Sequence, residues 1–229
     1  MNEGWEGDPL PRGRHKLSAQ AVRSSQRDRL LRAMLGLVGE QGYADTTVPM
    51  VVSAARVSRS SFYALFDDKT DCFIAACDRE SSELLESLVA MGSEEDWVQA
   101  LRRGMDRYVR WWQQRPAFSR AYFLELPAAG TRAVRQRDRQ YARYGDMFAA
   151  LGARAREEQP ELPPLSPLAT RMIVAGVTEI VADEVRGGRL AGLDAFADDL
   201  LYLVLRLLAD DATAQGAVSK RWLRLASAR

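Results

Sequence analysis

The sequence predicts an all-α protein. Apolar residues recur at helical spacing in segment after segment. No run alternates apolar and polar residues between turn residues, as a half-buried strand would. The breaks fall at residues that end helices: Gly42, Pro116, the prolines of 159–167, Gly187-Gly188 and Gly192. No internal repeat of about 20–50 residues is present.

The elements follow in order. Residues 1–20 are polar and hold Pro9, Pro11 and Gly13, and read as a disordered basic arm. From about 24 to 41, Leu30, Leu31, Met34, Leu35 and Val38 mark one helix face, and Gly42 suits its C-terminal cap. Thr46 or Thr47 caps a short helix with Pro49 in its first turn. After Ala55-Arg56-Val57, Ser58 caps a second short helix. Asp68 caps a long helix with Phe73, Cys77, Leu84 and Leu88 on one face, and Ser93 with Asp96 resembles a capping box. Further helices are expected over about 94–114, 117–126, 131–158, 168–186 and 194–211. The tail around Trp222 reads as a short terminal helix or a frayed end.

Composition excludes several classes of function. The 229 residues carry Lys+Arg 32 against Asp+Glu 31, a net charge of +1. Cys72 and Cys77 cannot build a disulfide framework, and they suggest a reducing, cytoplasmic setting. One histidine, His15, argues against Ser-His-Asp and Cys-His catalysis and against histidine metal sites. No secretory segment or membrane span is expected. Nothing calls for a cofactor or metal, and a carboxylate enzyme built on Glu125 and Glu179 lacks any supporting motif.

The charge is nonetheless concentrated. Residues 12–32 hold seven Lys/Arg against one acid, Asp28. That is an electrostatic footprint for a polyanion, or a solvated basic face. The next forty residues favour the polyanion. Two short helices joined by a tight turn and braced by a preceding helix make a helix-turn-helix. In that motif the second short helix enters the major groove. Here it begins Ser58-Arg59-Ser60-Ser61, small hydroxyls with one guanidinium long enough for a guanine edge.

The run Gly42-Tyr43, Thr46-Thr47-Val48, Ala54-Ala55, Val57-Ser58, Phe62-Tyr63, Phe66, Lys69 and Phe73 resembles the DNA-binding domain of TetR-type (tetracycline-repressor-like) transcriptional regulators. The resemblance covers about residues 27–77. It implies domains at 21–67 (DNA-binding) and 68–229 (ligand-binding and dimerisation). It implies roles as well. Thr47 would sit near backbone phosphates, and Ser58, Arg59, Ser60 and Ser61 would face the groove, Arg59 reading a base. Tyr63 would donate to a phosphate or pack on the unit. Lys69 would contact phosphate at a helix start, and Arg14 and Lys16 would follow the minor groove. Val48, Val57, Phe62, Phe66 and Phe73 read as core. Arg56 departs from the family's usual turn glycine. Either the backbone there avoids a positive φ, or Arg56 bears strain and adds a phosphate contact. Pro49 removes an N–H that might otherwise meet a phosphate.

Ten of the 19 aromatic residues fall between 97 and 148. Singly they read as core; together they make a lining for a flat or greasy ligand. The resemblance places the family's ligand cavity among these middle helices. The expected ligand-binding set is Met105, Tyr108, Trp111, Trp112, Phe118, Tyr122, Phe123, Tyr144, Phe148 and Met172, with Glu125 either at the surface or facing a cationic group. In the last strong helix, Leu200 to Leu208 are apolar almost all round, so one side must meet a partner. Helices 168–186 and 194–211 are therefore expected to pair two copies, with Glu179 paired to Arg206 or exposed. The function expected is a ligand-responsive regulator, a repressor, binding a palindromic double-stranded DNA operator as a homodimer and released by a small apolar or aromatic effector. The alternative is a carrier of small hydrophobic molecules with a vestigial helix-turn-helix.

Overall fold

The computed structural model describes residues 18–90, 96–209 and 211–218, and every regular element among them is helical. Arg14, Lys16 and Ser93 lie outside the described residues, as does the tail from 219. No helix is long and apolar enough to cross a membrane among the described residues.

Helix α1 (Ala19–Gln41) starts five residues earlier than its apolar stripe suggests, because Ser18 Oγ accepts the Ala21 N–H and caps it. It buries Leu30, Leu31, Met34, Leu35 and Val38, as expected. Gly42 ends it at φ 90°. Helix α2 (Val48–Ala55) follows, with Pro49 in its first turn. Thr47 occupies the cap position without a side-chain bond, while the buried Thr46 donates its hydroxyl to Gly42 O at 2.8 Å. Helix α3 (Arg59–Tyr63) is capped by Ser58. Helix α4 (Lys69–Val89) is capped by Asp68, whose Oδ1 accepts the Asp71 N–H at 2.6 Å.

Val51, Phe62, Phe66 and Phe73 close the core of this N-terminal unit, with Phe62 and Phe73 fully buried. Each such ring contributes about 1.5–3 kcal/mol by leaving water. The core then continues without a break into the rest of the chain. Helix α4 packs on α1 and also on α5 (Trp97–Gln113) and α7 (Thr131–Glu158). Asp96 caps α5, its Oδ1 accepting from Val98 and Gln99, and Glu158 Oε2 accepts the Trp97 N–H.

The expected helix at 117–126 proves composite. A short α6 (Pro116–Arg120) runs into a π-helical turn, Ala121–Glu125, and then a 3₁₀ turn, Pro127–Ala129. Helices α8 (Pro167–Arg186) and α9 (Ala197–Leu208) complete the body, with a 3₁₀ segment between them and α10 (Asp211–Ala217) after. In α9 the inward stripe is Leu200, Leu201, Val204, Leu205 and Leu208. Leu203 and Leu207 stay exposed, as do Leu168 and Met172 on α8. Glu179 is also outside, paired with Arg186 at 2.5 Å.

Candidate nucleic-acid interface and effector cavity

The turn between α2 and α3 is built on a strained residue. Arg56 adopts φ 51°, ψ 47°, the left-handed conformation that glycine takes most cheaply. Of the two possibilities left open for Arg56, strain is the outcome. Arg29 of α1 answers it: one Nη1 donates to Ala55 O at 3.1 Å and to Arg56 O at 3.2 Å. Arg23 likewise donates to Ala64 O at the end of α3. Arg27 lies 5.1 Å over the Phe66 ring. The basic side chains of α1 thus bind the carbonyl ends and a ring of the unit itself. Their charge still adds to the local positive field.

Thr47, Ser58, Arg59, Ser60 and Tyr63 are exposed and Ser61 is half-buried. Tyr63 is 48% exposed, so its ring does not belong to the core. The Arg59 guanidinium lies 5.7 Å from the Tyr63 ring, which steadies a long side chain that has no other anchor shown. Ser58 is committed locally. Its Oγ accepts the Ser61 N–H and sits 2.8 Å from Ser61 Oγ and 3.0 Å from Ser60 Oγ. Its role is to set where α3 begins.

Lys69 departs from the sequence expectation. Its ammonium donates to Tyr43 O at 2.7 Å and Thr46 O at 2.8 Å, and stands 4.1 Å over the Tyr43 ring. Burial lowers its pKa, against an opposing pull from Asp45. A cation already spent on carbonyls of the α1–α2 turn holds that turn in place, and is a poor candidate for a phosphate contact.

The second feature is a cavity of about 540 Å³ between α4, α5, α7, α8 and the π-helical turn. Its walls are mostly apolar. Met105, Tyr108, Trp112, Tyr122, Tyr144 and Phe148 line it, as expected. Its polar groups are few: four tyrosine hydroxyls, Thr178, the Trp112 indole and Arg154. Arg154 is paired with Glu158 at 2.9 Å. Burial raises the pKa of Tyr108, Tyr122 and Tyr144, so these phenols stay protonated. The Trp112 indole N–H is buried without a hydrogen-bond partner, although it lies near enough to Tyr108 to favour that residue's ionised form slightly. Among the described residues, no Asp or Glu lines the cavity.

Residues 30–76 match the model of a protein family, the bacterial regulatory proteins of the tetR family. Residues 30–76 thus carry a DNA-binding domain of the tetR family. No curated protein matches the chain. Its fold is similar to that of FadR from Bacillus subtilis in complex with stearoyl-CoA, with TM-score 0.69 and 16% identity over 77% of this chain and 96% of that one. It is also similar to SmeT, the repressor of the Stenotrophomonas maltophilia multidrug efflux pump SmeDEF, at TM-score 0.67 and 19% identity over 82% and 92% of the two chains. The SmeT–triclosan complex gives TM-score 0.70 and 21% identity over 82% and 94%. At these identities the likeness is one of fold.

Four expected cavity residues lie elsewhere. Trp111, one residue from Trp112, is turned about 100° away on α5 and carries the Arg115 guanidinium 3.5 Å over its ring. Phe118 and Phe123 do not reach the cavity; they pack on Trp112 at 5.1 and 4.6 Å and support the wall. Met172 is 55% exposed, because Ile173, Val174 and Val177 take the inward face of α8. Glu125 does not face the cavity either, so the idea that it meets a cationic group fails. Its Oε2 accepts the Tyr43 N–H at 2.9 Å.

Sequence reasoning found only part of the α7 wall, Tyr144 and Phe148, and missed Tyr141, Leu151 and Arg154, although all five recur at three and four residues. The periodicity was present, but attention to aromatic residues alone passes over Leu151 and Arg154. Gly104, also in the wall, gives no sequence signal, since it contributes only the absence of a side chain.

Proposed function

We propose that the chain is an effector-responsive transcriptional regulator, most simply a repressor, which binds a palindromic operator as a dimer and releases it when a small apolar molecule enters the cavity. One observation carries this reading. An exposed helix-turn-helix face and an apolar cavity share a single continuous core. A ligand that favours one packing of that core over another changes DNA affinity by its difference in binding energy for the two.

The dimer is supported by the large apolar side chains left outside on α8 and α9: Leu168, Met172, Leu203 and Leu207. Two copies joined through these helices would present two reading heads with two-fold symmetry. The half-sites would then lie about one helical turn, ~34 Å, apart, or somewhat more.

The cavity also restricts the effector. Among the described residues, no carboxylate lines the wall to balance a cation. Its hydroxyls and the Trp112 N–H favour a molecule that brings a hydrogen-bond acceptor. We therefore assign it a neutral or anionic ligand with an apolar body and an acceptor oxygen. Stearoyl-CoA and triclosan, the ligands of two proteins of similar fold, both fit that description.

The test is fluorescence anisotropy of the full chain on the intergenic DNA beside its own gene, over a range of salt. We expect log K to fall steeply with log salt, and Arg59→Ala to cost about 1–3 kcal/mol of specific binding. Absence of any DNA binding at low salt would return the chain to the carrier class.

A further inference from the structure

The π-helical turn Ala121–Glu125 lies between the cavity and the reading head. Tyr122 faces the cavity and packs 5.4 Å from the Trp112 ring. The residues that flank or end the turn reach the other way, to the end of α1. Arg120 Nε donates to Gly39 O at 3.1 Å, and Glu125 Oε2 accepts the Tyr43 N–H at 2.9 Å. Gly39 O and Tyr43 N are the pair that would bond each other if α1 ran one residue further. Gly42 breaks the helix there at φ 90°, and Arg120 and Glu125 satisfy the two groups in its place. A Cβ on Gly42 would come within 3.3 Å of the same Glu125 oxygen.

The π geometry makes this possible. In a π turn, whose hydrogen bonds join residues five apart, such residues lie closer to one face. In an α-helix they are about 140° apart. Arg120 and Glu125 can both reach α1 because the segment between them is wound as a π turn. Tyr43 in turn is tied to the start of α4, through Lys69 on its carbonyl and its own hydroxyl 2.7 Å from Thr70 Oγ1. Helix α2 starts five residues after Tyr43.

We propose that Glu125 is the positioning residue through which the cavity acts on the reading head. An occupant that displaces Tyr122 rewinds the turn toward α geometry, and the Glu125 carboxylate swings off the Tyr43 amide. The junction of α1, α2 and α4 is then released. This rests on the cavity being the effector site, as proposed above.

Hydrogen exchange at the Tyr43 amide of the full chain tests it without needing DNA. Glu125→Ala is expected to speed exchange there about tenfold, as loss of a charge-assisted bond would. Glu125→Gln, which keeps an accepting oxygen, is expected to restore most of the protection. Two changes inside the cavity are expected to act at the same distant amide. Tyr122→Leu removes the lever, and Gly104→Phe puts a ring into the space beside Leu88. Neither is expected to add to the effect of Glu125→Ala. If both leave Tyr43 exchange at the wild-type rate, or if their effects multiply fully with Glu125→Ala, the route is wrong. Triclosan binding, read by tryptophan fluorescence, tests the cavity separately. Failure to bind would count against the effector reading, while the exchange result would still decide the role of Glu125.

Discussion

At the scale of single residues, the same charge does different work depending on where its side chain ends. Arg59 is presented to the outside, whereas Arg23 and Arg29 cap carbonyl ends and Lys69 pins a turn. Sequence spacing identified all of them as basic, but only three-dimensional position separates reader from brace. The cysteines show the same dependence on place. Cys72 is buried, and burial pushes its thiol up to about 12, with Cys77 raised well above 9.0 as well. A thiol held protonated in the fold stabilises it fully below its unfolded pKa near 9. That stability is lost as pH rises from about 9 through 12, because the unfolded chain ionises first. Urea titrations are expected to give a midpoint that declines across that window. In Cys72→Ala the decline is expected to be shallower.

At the scale of elements, apolar periodicity was enough to find almost every helix, and the caps Ser58, Asp68 and Gly42 fixed several ends. The π-helical turn was not legible, because its residues read as an ordinary apolar helix. Met172 failed for a related reason. Its helix carries apolar residues on an inward and an outward stripe, and sequence alone does not say which one faces the cavity. The packing of α1 on α6 offers a sharp test. A Cβ at Gly39 would stand 2.5 Å from Ala117 O, a backbone atom with little room to move. Gly39→Ala is expected to cost about 1–3 kcal/mol, seen as a lower melting temperature. An unchanged melting temperature would mean that the two helices do not approach so closely. On the outer face, Leu203→Glu with Leu207→Glu places charge on the proposed dimer surface. Sedimentation is expected to show a folded monomer with weakened operator binding. A dimer that survives both changes would place the interface elsewhere.

At the scale of the whole molecule, the continuous core is what makes regulation physically reasonable. Helix α4 packs on α1 at one end of the molecule and on α5 and α7 around the cavity at the other. Any change in the cavity that alters this packing must be felt at the reading head. Linkage then requires reciprocity: if the effector weakens DNA binding, DNA must weaken effector binding by the same factor. The most direct measurement is therefore triclosan affinity, followed by tryptophan fluorescence, with and without saturating operator DNA. The account predicts weaker triclosan binding in the DNA complex, by a factor of about 5–150, matched by the loss of DNA affinity at saturating triclosan. An identical triclosan affinity in both states would contradict it, leaving a DNA-binding domain and a cavity that do not communicate.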